Sequence, residues 1–125
     1  MKIEQLNKVS LSYDATSKIR TLKMRTGLTP NILCRFGIML SLNEDGAPIV
    51  DEYDNDGMEF NRYTLFGGYE AMIIALIRER CNSDGLDVEE ELAEQLRGHM
   101  NRGTALLYMR VRNILDLGNL VASSQ

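Results

Sequence analysis

Histidine and cysteine, on which most metal sites and many nucleophilic sites depend, are scarce in this sequence. The chain has two cysteines and one histidine among 125 residues. Cys34 and Cys81 lie far apart and inside apolar helical patterns, so we expect structural thiols and not a disulfide or a catalytic pair. His99 has no second histidine or cysteine near it in sequence. We therefore predict that it closes a helix as a structural residue, interacting with the last carbonyls.

Long apolar runs and catalytic motifs are also missing. The longest apolar stretch, residues 71–77, is too short to cross a bilayer, and the N-terminus lacks the basic and apolar regions of a signal peptide. There is no phosphate-cradling loop, no cysteine pair with zinc spacing and no nucleophile elbow. These absences predict a cytoplasmic protein that is not an enzyme, has no catalytic or metal-binding residues, needs no cofactor and contacts no membrane.

Acidic residues are absent between Asp14 and Glu44, although the net charge of the whole chain is −4. Residues 1–42 hold seven lysines and arginines against two acids, a net charge of +5. Residues 43–125 hold seven arginines against sixteen acids, a net charge of −9. A polyanion would therefore bind in the N-terminal third. Residues 43–61 contain no base and repel one another, which predicts a mobile acidic loop.

Local signals near the N-terminus predict a strand and then a helix. Residues 9–12 are a short strand candidate. Asp14 then offers a side-chain oxygen to the free amides of a helix that runs to Thr26. Gly27 suits the position just past the end of this helix, where the backbone usually turns left-handed.

A second helix is predicted over residues 30–42, after a short connection. Thr29 caps it, and Pro30 takes the first-turn position, where its missing amide costs nothing. The helix is apolar nearly all round, with Arg35 as its only charge, so it requires cover on most sides. Gly37 in its middle predicts a close contact with another helix. The pair predicts a helix-turn-helix arrangement.

The C-terminal half predicts three more helices. The first, residues 69–81, is again too apolar for one wet face. The second covers residues 88–101 and ends at Gly103, and the third runs from a cap at Asn113 to Leu120. The patterns together predict a mainly α, small single-domain protein with a helix-turn-helix-like N-terminal half. Two strongly apolar helices in so short a chain also predict a homo-oligomer, with a tetramer favoured.

The first helix has the strongest candidate site. At about 100° per residue, its apolar residues form one narrow stripe that packs inward, and its cations lie beside and behind that stripe. Four positive charges occur within eight residues, at Lys18, Arg20, Lys23 and Arg25, and we expect no acid near enough to neutralise them. They can follow a phosphate backbone, and the amides at the start of the second helix suit one more phosphate. No aromatic residue interleaves the cations, so duplex contact is favoured over single-strand stacking.

Two other interpretations of these cations stay open. The cations form a solvated helix face that only keeps the protein soluble, or they dock on the acidic segment, residues 44–59, of a neighbouring subunit. The segregation of charge in an acidic protein favours nucleic-acid binding. Asn31 and Arg35 are candidates for base contacts, although a place for Arg35 inside a subunit interface would prevent this.

Two motifs resemble the DNA sulfur modification protein DndE family. They are the run from Leu22 to Arg35, LKMRTGLTPNILCR, and the run from His99 to Gly103, HMNRG. The resemblance implies a non-catalytic, helical, oligomeric protein that binds duplex DNA, preferably nicked, through positively charged surface residues. It also implies that the partners are the other DNA sulfur modification proteins, a cysteine desulfurase, an iron–sulfur protein and an ATPase, which replace a backbone phosphate oxygen by sulfur. Carried onto this sequence, the DNA-binding role falls on Lys18, Arg20, Lys23 and Arg25.

Two alternative functions remain. In the first, the protein is a scaffold subunit of the sulfur-transfer complex whose acidic loop and residues 99–103 hold the partners, with incidental DNA contact. In the second, which is less favoured, residues 9–42 form a ribbon-helix-helix repressor. That fold requires residues 9–12 to pair across a dimer and to place alternate side chains in the major groove. Ser10 and Ser12 are small for this task.

Overall fold

Helices dominate residues 2–123, the part of the chain that the computed structural model describes. Two short strands form a small antiparallel sheet. This architecture confirms the prediction of a mainly α, small single-domain protein. The elements in chain order are β1 (Lys8–Ser10), α1 (Tyr13–Thr26), α2 (Pro30–Leu42), β2 (Glu59–Asn61), α3 (Arg62–Phe66), α4 (Glu70–Ser83), α5 (Val88–Arg110) and α6 (Ile114–Ser123).

The core forms where α2 packs on α5, and two facing glycines set the distance between these helices. A Cβ on Gly103 of α5 would overlap the carbonyl group of Gly37 in α2. The predicted close helix contact at Gly37 is confirmed. The prediction that Gly103 ends its helix is wrong, because α5 continues to Arg110. Gly103 provides space for α2, and this tertiary contact outweighs the low helix propensity of glycine.

Ser12, and not Asp14, caps α1. The Ser12 Oγ accepts a hydrogen bond from the Ala15 amide at 3.0 Å. The predicted cap at Asp14 is therefore wrong, and Asp14 lies in the first turn. Both residue types are good N-caps. Ser12 takes the position because its own amide is fixed by the Asn101 Oδ1 of α5 at 2.9 Å.

The connection between α1 and α2, residues 27–29, has the predicted turn chemistry. Gly27 is left-handed with a φ of 77°, and its N–H donates to the Lys23 carbonyl at 2.8 Å. Thr29 occupies the N-cap position before Pro30 as predicted, but its hydroxyl makes no capping hydrogen bond. The bounds of α2 agree with the predicted second helix, so the two helices follow in helix-turn-helix order.

The strand β1 pairs with β2 inside the chain. Val9 lies opposite Phe60 in the register, and both side chains are buried. A ribbon-helix-helix protein instead pairs this strand across a dimer and turns its side chains towards DNA. That alternative is therefore wrong, because the Val9 side chain is part of the core.

The acidic segment, residues 43–61, is more ordered than its charge predicts. It contains a 3₁₀ turn at Val50–Glu52 and ends in β2. The guanidinium of Arg97, a buried residue of α5, donates to the carbonyls of Val50 at 3.3 Å and Tyr53 at 3.1 Å. The segment is therefore not a loop throughout, because it contains a 3₁₀ turn and a strand, and these hydrogen bonds oppose the mutual repulsion of the acids. The mobility of the segment stays a prediction.

The remaining helices agree with the sequence except for α3, which no local signal predicts. The Asn113 Oδ1 accepts a hydrogen bond from the Asp116 amide at 3.1 Å, so the predicted cap of α6 is confirmed. Cys34 and Cys81 are buried free thiols, as expected. Burial raises the pKa of the Cys34 thiol to about 12. Within the described residues, the helices are too short or too polar to cross a membrane.

Candidate nucleic-acid interface

The inner side of α1 is the predicted apolar stripe. Ala15 is 4% exposed, and Ile19 and Leu22 are fully buried. Their burial fixes the rotation of α1 about its axis. The predicted cations therefore lie on the borders and the outer face of this helix.

Two of the four cations lie at exposed positions. Arg20 and Lys23 are exposed, and within residues 2–123 neither side chain forms an ion pair. Both charges therefore remain available to an anion from outside the chain.

The other two cations lie against one aromatic ring. The Lys18 Nζ is 5.8 Å and the Arg25 Cζ is 4.8 Å from the centroid of the Tyr108 ring. Attraction between a cation and the face of an aromatic ring contributes about 0.5–1 kcal/mol at exposed sites. No pattern in the sequence selects Tyr108, because its place beside α1 depends on the continuation of α5 beyond Gly103.

Lys18 also has an acidic partner. Its Nζ is 2.7 Å from the Asp14 Oδ2, one helical turn away. The expectation that no acid lies near the cations is therefore wrong for Lys18. The pair is weak, because Asp14 is 78% exposed and exposed pairs of this spacing contribute about 0.3–0.5 kcal/mol.

The acidic segment meets α1 in its N-terminal half. The Asp54 Oδ1 accepts hydrogen bonds from the Tyr13 and Asp56 amides, both at 2.9 Å. These bonds lower the pKa of the Asp54 carboxyl, so it is ionised at neutral pH. Lys23 and Arg25 lie in the last turn of α1, about 14 Å along the helix from its acidic first turn. The charge of α1 is thus divided between its two ends, with the cations beside the turn into α2.

The second motif, residues 99–103, supports α1 and α2 from inside the fold. Asn101 holds the Ser12 amide at the start of α1, as described above. Arg102 donates from Nε to the Ser41 Oγ and from Nη2 to the Ser41 carbonyl, both at 2.8 Å. These bonds satisfy polar groups at the C-terminal end of α2. The motif therefore positions the two helices that flank the cationic turn.

His99 lies inside α5 and is fully buried. The prediction that it closes a helix is therefore wrong. Its Nδ1 is 2.8 Å from the Ser41 Oγ. Burial, and then the positive charges of Arg102 and Arg80, lower the pKa of His99 to about 4. The ring is neutral at pH 7 and has a structural position.

Residues 99–103 do not form an exposed edge. All of them are buried except Arg102, which is half-buried and bound to Ser41. The part of the scaffold hypothesis that uses this edge to hold partners is therefore wrong. The helix continues through the motif, so its side chains face other elements of the same chain.

Arg35 is tied to the neighbouring helix α3. Its Nε donates to the Leu65 carbonyl at 2.7 Å, and its Nη2 donates to the Thr64 carbonyl at 3.0 Å. Arg35 is therefore fixed within its own chain, which removes it from the candidates for base contacts. Asn31, in the first turn of α2, is half-buried.

A metal centre has no support in the described part of the chain. No group of three or more histidine, cysteine, aspartate or glutamate side chains there is arranged to hold an ion. The cationic end of α1 is thus the candidate site with the most direct chemistry.

The family model and two solved structures that match this chain are all described as DndE. The family model described as DNA sulphur modification protein DndE matches residues 8–113. The crystal structure of DndE from Escherichia coli B7A, involved in DNA phosphorothioation modification, is similar with a TM-score of 0.67 and 23% identity. That similarity covers 82% of this chain and 96% of the E. coli chain. A DndE mutant with two glycines changed to lysine, also involved in DNA phosphorothioation, has a TM-score of 0.65 and 20% identity, over 82% of this chain and 97% of that one. The curated proteins contain no significant match.

Proposed function

Because the chain belongs to the DndE family of DNA sulphur modification proteins, we propose that it binds duplex DNA, intact or nicked, as a non-catalytic component of the phosphorothioation machinery. The contact surface is the basic face of α1, which we define as Lys18, Arg20, Lys23 and Arg25. Its partners are DNA and the other DNA sulphur modification proteins.

The single observation that supports this proposal best is the free state of Arg20 and Lys23. A chain with a net charge of −4 has enough carboxylates to neutralise every cation. Two exposed cations nevertheless lack an acidic partner within residues 2–123, and a third, Arg25, stacks on a ring instead. Surface cations without partners can release counterions from a phosphate backbone when they bind it.

The polarity of α1 limits where the duplex lies. Asp14 and Asp54 would repel phosphates from the N-terminal end of the helix. At ordinary ionic strength, charges further apart than about 10 Å are largely screened, so these acids hardly weaken the field at Lys23 and Arg25. We therefore assign the main phosphate contacts to Arg20, Lys23 and Arg25 in the second half of α1 and to the turn at residues 27–29 that leads into α2, with Lys18 at the edge of the surface.

The number of contacts sets the expected salt dependence. Four phosphate contacts would give a slope of about −3.6 in a plot of log affinity against log salt concentration. Lys18 lies at the acidic end of α1, where the negative charge of Asp14 at 2.7 Å repels a phosphate, so three contacts and a slope of about −2.7 are expected for each copy of the basic face.

Self-association would multiply this modest surface. The outer sides of α2 and α4 border an apolar hollow of about 390 Å³, lined by Phe36, Met39, Tyr69 and Met72 among others. Tyr69 is 56% and Met72 is 51% exposed. A second copy that covers these side chains would produce a homo-oligomer, for which we favour a tetramer with several basic faces.

A scaffold function is the second candidate. The acidic segment offers Asp45, Asp51 and Glu52 as exposed carboxylates for a basic protein partner. In that case DNA contact is incidental, and charge reversal on α1 leaves partner binding and function unchanged.

The test is a titration of labelled intact and nicked duplexes with the native protein and with a variant that has all four cations of the basic face changed to glutamate. We expect largely abolished binding by a variant whose circular dichroism spectrum is native. Unchanged affinity in that folded variant would exclude this DNA-binding site. Pull-down of the partner proteins with the same variant separates the DNA-binding proposal from the scaffold.

A further inference from the structure

Helix α6 begins where the match to the family ends. The family model stops at residue 113, and α6 covers Ile114–Ser123. Among the α6 side chains that the structure describes, only Leu117 is buried, at 5% exposure, whereas Leu115 is 74% exposed. The helix therefore lies beyond the residues that the family model matches, and Leu117 is its buried contact with the rest of the fold.

Helix α6 packs on the outer side of α2. It covers only part of this surface, which we call the seat of α6. One hollow of about 230 Å³ is lined by Met39, Leu107 and Leu117 among others. A second hollow of about 300 Å³, lined by Ile32 and Leu117 among others, adjoins it, and Phe36 borders both. Both hollows open to solvent, so they are grooves beside α6 that its side chains leave uncovered. Helix α6 is thus complementary in chemistry to its seat without being locked into it.

The hinge between α5 and α6, residues 111–113, has a composition that a helix accepts, and its buried Val111 follows the buried Leu107 at helical spacing. It contains neither proline nor glycine. Val111 ends α5 in an extended conformation, with a φ of −117° and a ψ of 115°. The Arg112 amide donates to the Asp116 carboxylate at 2.8 Å, next to the Asn113 cap. These are short-range bonds, and the backbone hydrogen bonds of a continuous helix would replace them.

We propose that α6 exchanges between two copies of this chain. Residues 111–113 become helical, α5 and α6 join into one helix, and Leu117 occupies the corresponding seat on the second copy. The contact within the chain shows what would bind the α2 surface of a second copy. The apolar stripe of α6 fits the α2 surface of its own chain, so it also fits the identical surface of another copy. Domain swapping of this kind has a low cost, because the swapped contacts are the original ones and only the hinge changes.

The apolar lining of the seat favours an apolar helix over a charged ligand. Neither of the two hollows beside α6 is lined by a charged residue. A phosphate backbone would find no cation there, whereas the stripe of Ile114 and Leu117 requires none. The exchange therefore goes beyond the proposed DNA binding and does not depend on it.

The experiment uses the full-length protein with two substitutions at the same exposed position. Arg112→Pro suits the extended conformation of Val111, because the residue before a proline prefers that conformation. It removes one hydrogen bond from the closed hinge, the one that the Arg112 amide donates to Asp116. Inside a continuous helix the same proline loses a backbone hydrogen bond and also clashes with the preceding turn, so it should lower the exchanged population by roughly tenfold or more. Arg112→Ala is the matched control and favours the continuous helix. Asn113→Ala, which removes the cap of α6, should also raise exchange.

Cross-linking between chains measures the exchange. Val121 and Met39 line the same hollow. Chains that carry Val121→Cys are mixed with chains that carry Met39→Cys, and the mixture is treated with a short bismaleimide. We expect a cross-linked dimer in the native and Arg112→Ala backgrounds and nearly none with Arg112→Pro. Equal cross-linking with alanine and proline, or none in the alanine background, would overturn the proposal.

Light scattering on the same samples separates this exchange from association through α2 and α4. If Arg112→Pro abolishes the cross-link while the molar mass stays that of an oligomer, exchange and self-association are both supported as distinct contacts. If the native protein is a monomer at every concentration and no cross-link forms in any background, the exchange is excluded, and the DNA titration above still tests the basic face.

Discussion

Arg25 of α1 lies over the ring of Tyr108 in α5, with 4.8 Å between the guanidinium carbon and the ring centroid. Lys18 lies over the same ring, two turns earlier in α1. The ring orients half of the basic face before any ligand arrives, and such preorganisation lowers the entropy lost on binding.

Tyr108→Ala should weaken duplex binding by about 2- to 5-fold, which corresponds to the loss of about 0.5–1 kcal/mol of cation–π attraction. Tyr108→Phe keeps the ring face and should bind like the native protein. Fluorescence anisotropy with a labelled duplex measures both variants. Equal weakening by alanine and phenylalanine would show that the hydroxyl, and not the ring face, matters.

Asp14→Asn should strengthen DNA binding, because it releases Lys18 from its 2.7 Å ion pair and removes a negative charge from the helix. The salt slope should steepen from about −2.7 towards −3.6 as a fourth phosphate contact becomes available. Asp45→Asn makes the same charge change at an exposed acid of the 43–61 segment and serves as the control. An identical slope in both variants would argue against Lys18 as a DNA contact.

Gly103→Ala should be strongly destabilising, by about 2–3 kcal/mol, because a Cβ there overlaps the Gly37 carbonyl and overpacking forces the backbone to move. Gly118→Ala is the matched control in α6, where nothing lies within 4 Å of the added atom. It should stabilise the protein by about 0.5–1 kcal/mol through helix propensity. Urea unfolding measures both. Similar midpoints for the two variants would contradict the close packing of α2 on α5.

Stability should fall as the pH drops from about 6.5 to about 4, because of His99. Its pKa is about 4 in the folded protein, below the 6.5 of an ordinary histidine, so the unfolded chain binds the proton first. The contribution is fully present above pH 6.5 and is lost as the pH falls through the folded pKa, with a total of about 3 kcal/mol.

The free energy of unfolding, measured between pH 4 and pH 7 for the native protein and His99→Asn, checks this prediction. The substitution lowers stability at every pH, but it should also flatten the slope in this window. A slope that stays the same without the imidazole would assign the acid sensitivity to the carboxylates.

The helices α1 and α2 could be predicted from the sequence because their signals are local. Gly27 ends α1 through its own backbone conformation, and Pro30 begins α2 through its missing amide. The bounds of α5 could not be predicted from the sequence. Gly103 suggests a helix end until Gly37 of α2 is known to pack against it. The same limit concealed Tyr108, whose contact with Arg25 depends on the path of a distant helix.

The cations of the candidate site were recognisable because the charge pattern is continuous in sequence, from Lys18 to Arg25. The residues that surround each cation could not be predicted from the sequence. The competition between Ser12 and Asp14 for the cap of α1 was decided by Asn101, a residue distant in sequence. Once Ser12 is the cap, Asp14 lies one turn before Lys18 and pairs with it.

Binding of a labelled duplex by Arg20→Glu/Lys23→Glu, compared with Lys8→Glu/Arg78→Glu, tests the central claim most directly. The two double variants change the net charge equally, and Lys8 and Arg78 are paired with Glu59 and Glu89 away from the basic face. We predict that the first variant loses affinity by roughly tenfold or more and flattens the salt slope by about two contacts, while the second binds nearly like the native protein. Equal losses in the two folded variants would contradict a DNA interface on α1.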